Sequence, residues 1–110
     1  MRQGEIYWAD LEPIVGNEQG GKRPVVVISG NTMNKNLKVG IVCPLTSQQK
    51  NYPGCVKVKK NFTNGLHCDS EVVVFQTRTI SSKRLEAKIG KLNKSDLFKV
   101  LSVLGELLRY

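Results

Sequence analysis

The chain has 110 residues, of which 40% are hydrophobic and 24% are charged, a balance that excludes a disordered protein. Its seventeen Lys and Arg residues outnumber nine Asp and Glu residues, and the resulting net charge of +8 favours a polyanionic partner, nucleic acid first. A basic surface that contacts only solvent is the alternative interpretation. The length predicts a single domain over residues 1–110.

The cellular compartment is indicated by what the chain lacks. No apolar run approaches the roughly 20 residues of a membrane-spanning helix, and the N-terminus has no signal-peptide core. The chain has an odd number of cysteines, at positions 43, 55 and 68. These three cysteines are too widely spaced for a zinc site of the paired type. We therefore expect buried, reduced thiols in a cytoplasmic protein that does not contact a membrane.

Short β-strands dominate the chain up to residue 92. Residues 24–29 are an almost continuous β-branched run, which is typical of a strand buried on both faces. Residues 55–59 alternate valine with lysine, which predicts a half-exposed strand with a basic outer face. Residues 30–36 are expected to be a polar connector, and residues 76–82 a segment that leaves a strand and turns. The six predicted strands are residues 6–11, 24–29, 38–45, 55–59, 72–75 and 85–92.

A helix is predicted at the C-terminal end, over about residues 94–108. Asn93 can cap it, since Asp96 stands three residues later as in a capping box. Leu97, Val100 and Leu104 recur at helical spacing. Short strands with regular turn signals followed by one helix predict a mainly β protein, a small antiparallel β-barrel with a C-terminal helix.

The polar segments at the strand ends carry the candidate chemistry, because loops that leave a barrel at one end can converge. They are residues 18–23, 46–50 and 76–79. A single histidine, His67, excludes a two-histidine ribonuclease mechanism within one chain and makes a histidine-based metal centre improbable. We expect His67 to be a surface turn residue. No acidic residues are spaced for two-metal catalysis, so no metal or other cofactor is predicted.

Cleavage of an RNA phosphodiester is the reaction that these side chains suit. Arg23 beside a glycine-rich backbone can stabilise the charge on phosphorus, Glu18 can act as a base, and Thr46 can donate a hydrogen bond. Each residue also has an ordinary structural interpretation. Arg23 can be a surface charge that pairs with Glu18, Thr46 can cap a turn, and Gln76 and Arg78 can make hydrogen bonds that close the barrel.

Several segments resemble the MazF/PemK family of toxin–antitoxin endoribonucleases. The segments follow the order and spacing of the family's motifs, and the resemblance covers essentially the whole chain. They are residues 4–13 (GEIYWADLEP), 16–29 (GNEQGGKRPVVVIS), 44–47 (PLTS), 52–53 (YP), 76–80 (QTRTI) and 88–92 (KIGKL).

The resemblance implies an SH3-like barrel in a homodimer that cleaves single-stranded mRNA at short sequences. It implies a metal-independent reaction with 2′,3′-cyclic phosphate and 5′-OH products, and a cognate antitoxin whose disordered segment blocks the RNA groove. Arg23 and Thr46 correspond to the catalytic pair, with Glu18 a contributor in some members. The residues implied to bind RNA are Gln19, Gly20, Gly21, Lys22, Ser47, Gln48, Gln76 and Arg78.

Two positions depart from the family pattern. Phe75 stands where some members carry an acid before the Gln-x-Arg segment, so a mechanism that needs that acid is not open to this chain. Ser81 stands where members often have Asp. Two other functions are left open: a non-enzymatic toxin of the same fold, of the gyrase-inhibitor kind, and a basic barrel that binds RNA without cutting it.

Overall fold

Seven strands and two helices make up the fold in the computed structural model, which describes residues 1–18 and 20–109. Two 3-10 turns lie at Val74–Gln76 and Ser82–Arg84. The elements are β1 (Glu5–Asp10), β2 (Lys22–Val27), α1 (Asn31–Asn36), β3 (Val39–Thr46), β4 (Cys55–Val58), β5 (Ser70–Val73), β6 (Arg78–Ser81), β7 (Leu85–Lys91) and α2 (Lys94–Leu107).

The strands form one bent antiparallel sheet in the order β4-β5-β3-β2-β1-β7, with β6 paired separately to β3. The long strand β3 is central: its early residues pair with β6, its middle with β2 and its end with β5. The predicted class, mainly β with a C-terminal helix, is confirmed. Within the described residues β4 and β7 do not pair with each other, so the sheet is barrel-like without being closed.

Two apolar clusters lie on the two faces of the sheet. Val26 belongs to the cluster under α2, whereas Val25 and Val27 belong to the other, so β2 is buried on both faces as predicted. The helix α2 begins where the sequence predicts, because the Asn93 side chain accepts a hydrogen bond from the Asp96 amide at 2.7 Å. Val100 is its fully buried contact with the core. No helix in the described ranges is long and apolar enough to cross a membrane.

Two elements were not predicted. The helix α1 replaces the expected connector because Asn34 is buried: its Nδ2 donates to the Ser29 carbonyl at 2.8 Å, and the Ser29 hydroxyl donates to its Oδ1. The strand β6 replaces the expected turn because Ile80, 3% exposed, packs into the core while its backbone pairs with β3. Both elements depend on partners that lie far away in sequence or inside the core.

The expected burial of all three cysteines is confirmed only for Cys43. All three thiols are free, but only Cys43 is buried, Cys55 is partly buried and Cys68 is exposed. Burial raises the pKa of the Cys43 thiol to about 11, and burial likewise raises the pKa of Cys55. Cys68 lies in the long connection between β4 and β5, where the surrounding residues are mostly exposed.

The Glu5 carboxylate joins β1 to β7. Its Oε2 accepts a hydrogen bond from Lys88 Nζ at 2.6 Å, and its Oε1 accepts from the Tyr7 hydroxyl at 2.8 Å and the Arg2 amide at 2.7 Å. Burial raises the pKa of Glu5, but these bonds and the Lys88 charge outweigh burial and lower the pKa from 4.5 to about 2. Ionised Glu5 therefore stabilises the fold above about pH 4.5, and this contribution is lost as the pH falls towards 2.

Replacing Lys88 tests this pH dependence. We expect Lys88→Met to raise the folded-state pKa of Glu5 towards its ordinary value, so the variant is less stable than wild type at neutral pH. We expect the variant to lose less stability than wild type on acidification, because ionised Glu5 stabilises its folded state less at neutral pH. Urea unfolding midpoints at neutral pH and near pH 3 measure both effects. Lys99→Met, an exposed change on α2, is the control, and an unchanged acid dependence in Lys88→Met would contradict the assignment.

Candidate active site

A cavity of about 910 Å³ opens where β2 and β3 approach the loops between β1 and β2 and between β3 and β4. Its lining combines cationic and hydroxyl side chains with apolar ones. Seven of the residues predicted from the sequence line it: Glu18, Lys22, Arg23, Thr46, Ser47, Gln48 and Gln76.

Strand register explains why Arg23 and Thr46 both reach this cavity. The antiparallel pairing of β2 with β3 sets Val25 opposite Pro44. Arg23 and Thr46 each lie two residues beyond this pair, at the same end of the two neighbouring strands, and side chains two residues apart along a strand share a face. Both residues therefore line the cavity, although 22 residues lie between them in the sequence.

The Arg23 side chain is oriented by its own loop. Its Nε donates to the Gly20 carbonyl at 3.0 Å, which is its only side-chain hydrogen bond among the described residues. The two terminal guanidinium nitrogens can therefore still donate to an anion in the cavity. The Thr46 Oγ1 accepts from the Gln48 amide at 3.2 Å, which leaves the hydroxyl proton free to be donated.

The two remaining charged candidates are more exposed. Glu18 Oε1 accepts a hydrogen bond from the Val15 amide at 2.7 Å, so one carboxylate oxygen shapes the loop while the residue lines the cavity. Lys22 Nζ lies 3.4 Å from Glu86 Oε2, and both side chains are largely exposed. Such a pair contributes little to stability, so Lys22 can exchange it for another anion.

Gln76 and Arg78 hold the loop between β1 and β2 by its backbone. Gln76 Nε2 donates to the Asn17 carbonyl at 3.2 Å, and Arg78 Nη1 donates to the Leu11 carbonyl at 3.2 Å. Gln76 also lines the cavity, whereas Arg78 does not. For Arg78 the structure thus favours the alternative of a structural hydrogen bonder over direct contact with a ligand in this cavity.

The glycines serve the loop rather than the cavity surface. Gly21 has a φ of +73°, which favours glycine, and its amide donates to Glu12 Oε1 at 2.8 Å while its carbonyl accepts from Leu11. A side chain at Gly20 would meet the Ile14 side chain at 2.7 Å. Neither glycine lines the cavity, so both act by positioning Arg23 and the loop. Gln19, also predicted to bind RNA, lies outside the described residues.

Several further residues line the cavity although the sequence did not single them out as ligands. Trp8 and Tyr52 supply aromatic surface, and Lys50 Nζ lies 6.0 Å from the centroid of the Tyr52 ring. His67 is exposed at the edge, as expected of a surface residue, but it also lines the cavity. Glu71 also lines the cavity, and it is almost completely buried. Within the described ranges, no three His, Cys, Asp or Glu side chains are grouped so that they can hold a metal ion.

The fold and the strand-end cavity agree with a comparison against known protein families. A family model described as PemK-like, MazF-like toxin of type II toxin–antitoxin system matches residues 2–108. The chain belongs to the PemK/MazF toxin family. The family indicated by the sequence motifs is thereby confirmed.

Relatives of this PemK/MazF chain match it over most of its length, and two solved structures also share its fold. Over 102 residues it is 38% identical to the endoribonuclease MazF of Staphylococcus epidermidis, which covers 91% of this chain and 84% of that protein. A crystal structure of MazF from Deinococcus radiodurans matches with a TM-score of 0.85 and 29% identity over 98% of this chain and 96% of that one. A MazE–MazF crystal structure from the same organism matches with a TM-score of 0.76 and 29% identity over 98% and 95% of the two chains.

Proposed function

We propose that this member of the PemK/MazF family is a toxin that cleaves single-stranded mRNA at short sequences in the cytoplasm, without a metal ion. The presence of Arg23 and Thr46 in the lining of one cavity carries the proposal. A guanidinium group that can bind a phosphate bidentately and a hydroxyl donor are thereby offered to the same ligand. The endoribonuclease name of the 38% identical relative supports the reaction class.

The proposed reaction is an in-line transfer within the RNA. The 2′-oxygen attacks the neighbouring phosphorus, the new O2′–P bond forms, and the bond from phosphorus to the 5′-oxygen breaks. A base takes the 2′-OH proton, and a proton from an acid or water is added to the leaving 5′-oxygen. The products are a 2′,3′-cyclic phosphate and a 5′-OH. Arg23 and Thr46 donate to the phosphoryl oxygens, whose negative charge grows in the transition state.

Incubating the purified protein with a long single-stranded RNA in excess EDTA tests this function. We expect discrete fragments whose 3′ ends carry a cyclic phosphate and whose 5′ ends are unphosphorylated. Sequencing the 5′ ends gives the cleavage sequence, and the same RNA annealed to its complement is the matched control. Cleavage that requires an added metal ion would contradict metal independence, and no cleavage of any RNA would favour the non-enzymatic alternatives.

Glu18 is the proposed base, since its Oε2 is not used in the bond to the Val15 amide. We expect Glu18→Gln to lower the rate constant for cleavage by about 10²-fold or more, within the usual range for a general base. The glutamine can keep the bond to Val15 through its carbonyl oxygen, so the loop is retained. Cleavage rates as a function of pH measure the change.

His67→Gln is the comparison that makes the Glu18 test decisive. His67 also lines the cavity, and an imidazole is a common general base in enzymes. We expect His67→Gln to cleave RNA within about threefold of the wild-type rate, well below the effect of losing a general base. If His67→Gln is the more damaged variant, His67 rather than Glu18 takes the proton.

The proposed partners follow from membership of a type II toxin family. We propose a cognate antitoxin that covers the cavity, supported by the MazE–MazF complex among the related structures. We also propose a homodimer. Phe98 and Leu108 on the α2 side are 70% and 77% exposed, which supports contact with another polypeptide.

A further inference from the structure

Glu71 is a buried carboxylate on β5 that lies at the floor of the cavity. It is 1% exposed, and none of the ion pairs among the described residues includes it. Its Oε1 accepts a hydrogen bond from the Lys50 amide at 2.9 Å, and its Oε2 accepts from the Asn51 amide at 3.2 Å. A carboxyl group this deeply buried needs hydrogen-bond partners, and these two backbone amides supply them.

The segment that Glu71 holds is the connection that follows Thr46. Residues 47–51 contain Ser47, Gln48 and Lys50, which line the cavity, and they end at Asn51, whose φ of +58° is uncommon for a residue with a side chain. The successive amides of Lys50 and Asn51 both donate to this one carboxylate, so they lose their hydrogen-bond acceptors when the carboxylate is removed. The direction of the connection therefore depends on a side chain from another strand.

The sheet register links the same carboxylate to Thr46. The pairing of β3 with β5 sets Thr46 directly opposite Glu71, so the residue that positions the connection stands beside the residue from which the connection leaves. Phe75, four residues later, is 48% exposed and occupies the position where some family members carry an acid. In this chain the acidic residue on the β5 side of the cavity is Glu71, and its two oxygens are both engaged with backbone.

We propose that Glu71 is a positioning residue for RNA binding. It fixes residues 47–51 so that Ser47, Gln48 and Lys50 can contact the RNA. The kinetic consequence of this role rests on the proposed ribonuclease function, whereas its structural consequence for residues 47–51 does not. Because both carboxylate oxygens accept from backbone amides, Glu71 acts through the connection rather than by touching the RNA. Thr46 is held by the backbone pairing of β3 with β5. The chemical step of RNA cleavage is therefore expected to change little when the Glu71 side chain is altered.

Glu71→Gln tests the role with little change in shape. The substitution replaces one acceptor with an NH₂ donor that faces a backbone amide, so at least one of the two bonds is lost. We expect KM for a single-stranded RNA to rise about tenfold, as expected from the loss of one buried hydrogen bond. We expect kcat to stay within about threefold, and Glu71→Asp, one methylene shorter but still an acceptor, to lie between the variant and wild type.

Amide hydrogen exchange gives a second readout that does not need activity. We expect the Lys50 and Asn51 amides to be protected in the wild-type protein and at least one of them to lose that protection in Glu71→Gln, while amides of β3 keep theirs. Val58→Ala is the matched control: it removes buried apolar volume on the neighbouring strand β4 and should lower stability while leaving KM unchanged. If Glu71→Gln does not fold, Glu71→Asp carries the same two measurements.

The outcomes separate the two proposals. If the wild-type protein cuts RNA while Glu71→Gln keeps KM and the two amide protections, the positioning role is overturned. A fall in kcat at constant KM would also overturn it, and so would an equal rise in KM in Val58→Ala. If the wild-type protein cuts no RNA, the ribonuclease function fails, and the exchange measurement alone still supports or refutes the hold of Glu71 on residues 47–51.

Discussion

Arg23→Ala is expected to reduce kcat for RNA cleavage by about 10²- to 10³-fold, the usual cost of removing one preorganised donor from a developing oxyanion. The substitution removes both the charge that faces the phosphate and the bond to the Gly20 carbonyl. Arg23→Lys should recover only part of the rate, because an ammonium group cannot make the bidentate contact of a guanidinium. Initial rates at saturating RNA, with circular dichroism to confirm folding, measure the effect.

Lys57→Ala is the control for Arg23→Ala. It removes one positive charge from the exposed outer face of β4 and therefore separates a loss of net charge from the loss of a specific donor. We expect its kcat to match wild type. An Arg23→Ala variant that cleaves RNA as fast as Lys57→Ala would show that Arg23 does not stabilise the transition state.

Thr46→Val is the second large expected effect. Valine matches the shape of threonine and suits a β-strand, so the variant should fold normally while it lacks the hydroxyl group. We expect kcat to fall about 10²-fold, because the proton that Thr46 donates to the phosphoryl oxygen is lost. Thr46→Ser should restore much of the rate, since the hydroxyl returns. Single-turnover cleavage of a short RNA containing the cleavage sequence measures the chemical step directly.

Thr79→Val is the matched change for Thr46→Val. Thr79 is an exposed strand threonine on β6, opposite Ile41, and it does not line the cavity. We expect wild-type cleavage from this variant. Wild-type cleavage from Thr46→Val as well would remove Thr46 from the proposed mechanism and leave only its bond to the Gln48 amide.

The parts of the fold predicted correctly are those that the local sequence determines. The run of valines in β2 and the Asn93 cap of α2 are local patterns, and both are confirmed. The two missed elements depend on tertiary contacts instead. A polar segment becomes α1 because Asn34 is buried against Ser29, and four residues become β6 because β3 has an unpaired edge there.

The same distinction applies to the candidate site. The proposed pairing of Arg23 with Thr46 comes from resemblance to a family, and the pairing of β2 with β3 explains why both residues lie at the cavity end of neighbouring strands. The position of Glu71 could not be predicted, because one carboxylate beside a run of valines does not reveal which backbone amides will turn towards it. The structural bond of Arg78 to the Leu11 carbonyl has the same origin in a distant backbone group.

The loop between β1 and β2 is held by hydrogen bonds to its backbone carbonyls, and this bears on how the proposed RNA sequence preference can change. Arg78 holds the Leu11 carbonyl, Arg84 holds the carbonyls of Asp10 and Glu12, and Gln76 holds that of Asn17. Every residue has a backbone carbonyl, whatever its side chain. The exposed side chains of Val15 and Asn17 can therefore be exchanged while these bonds keep the loop in place, so the proposed RNA sequence preference can be selected or engineered there without rebuilding the fold.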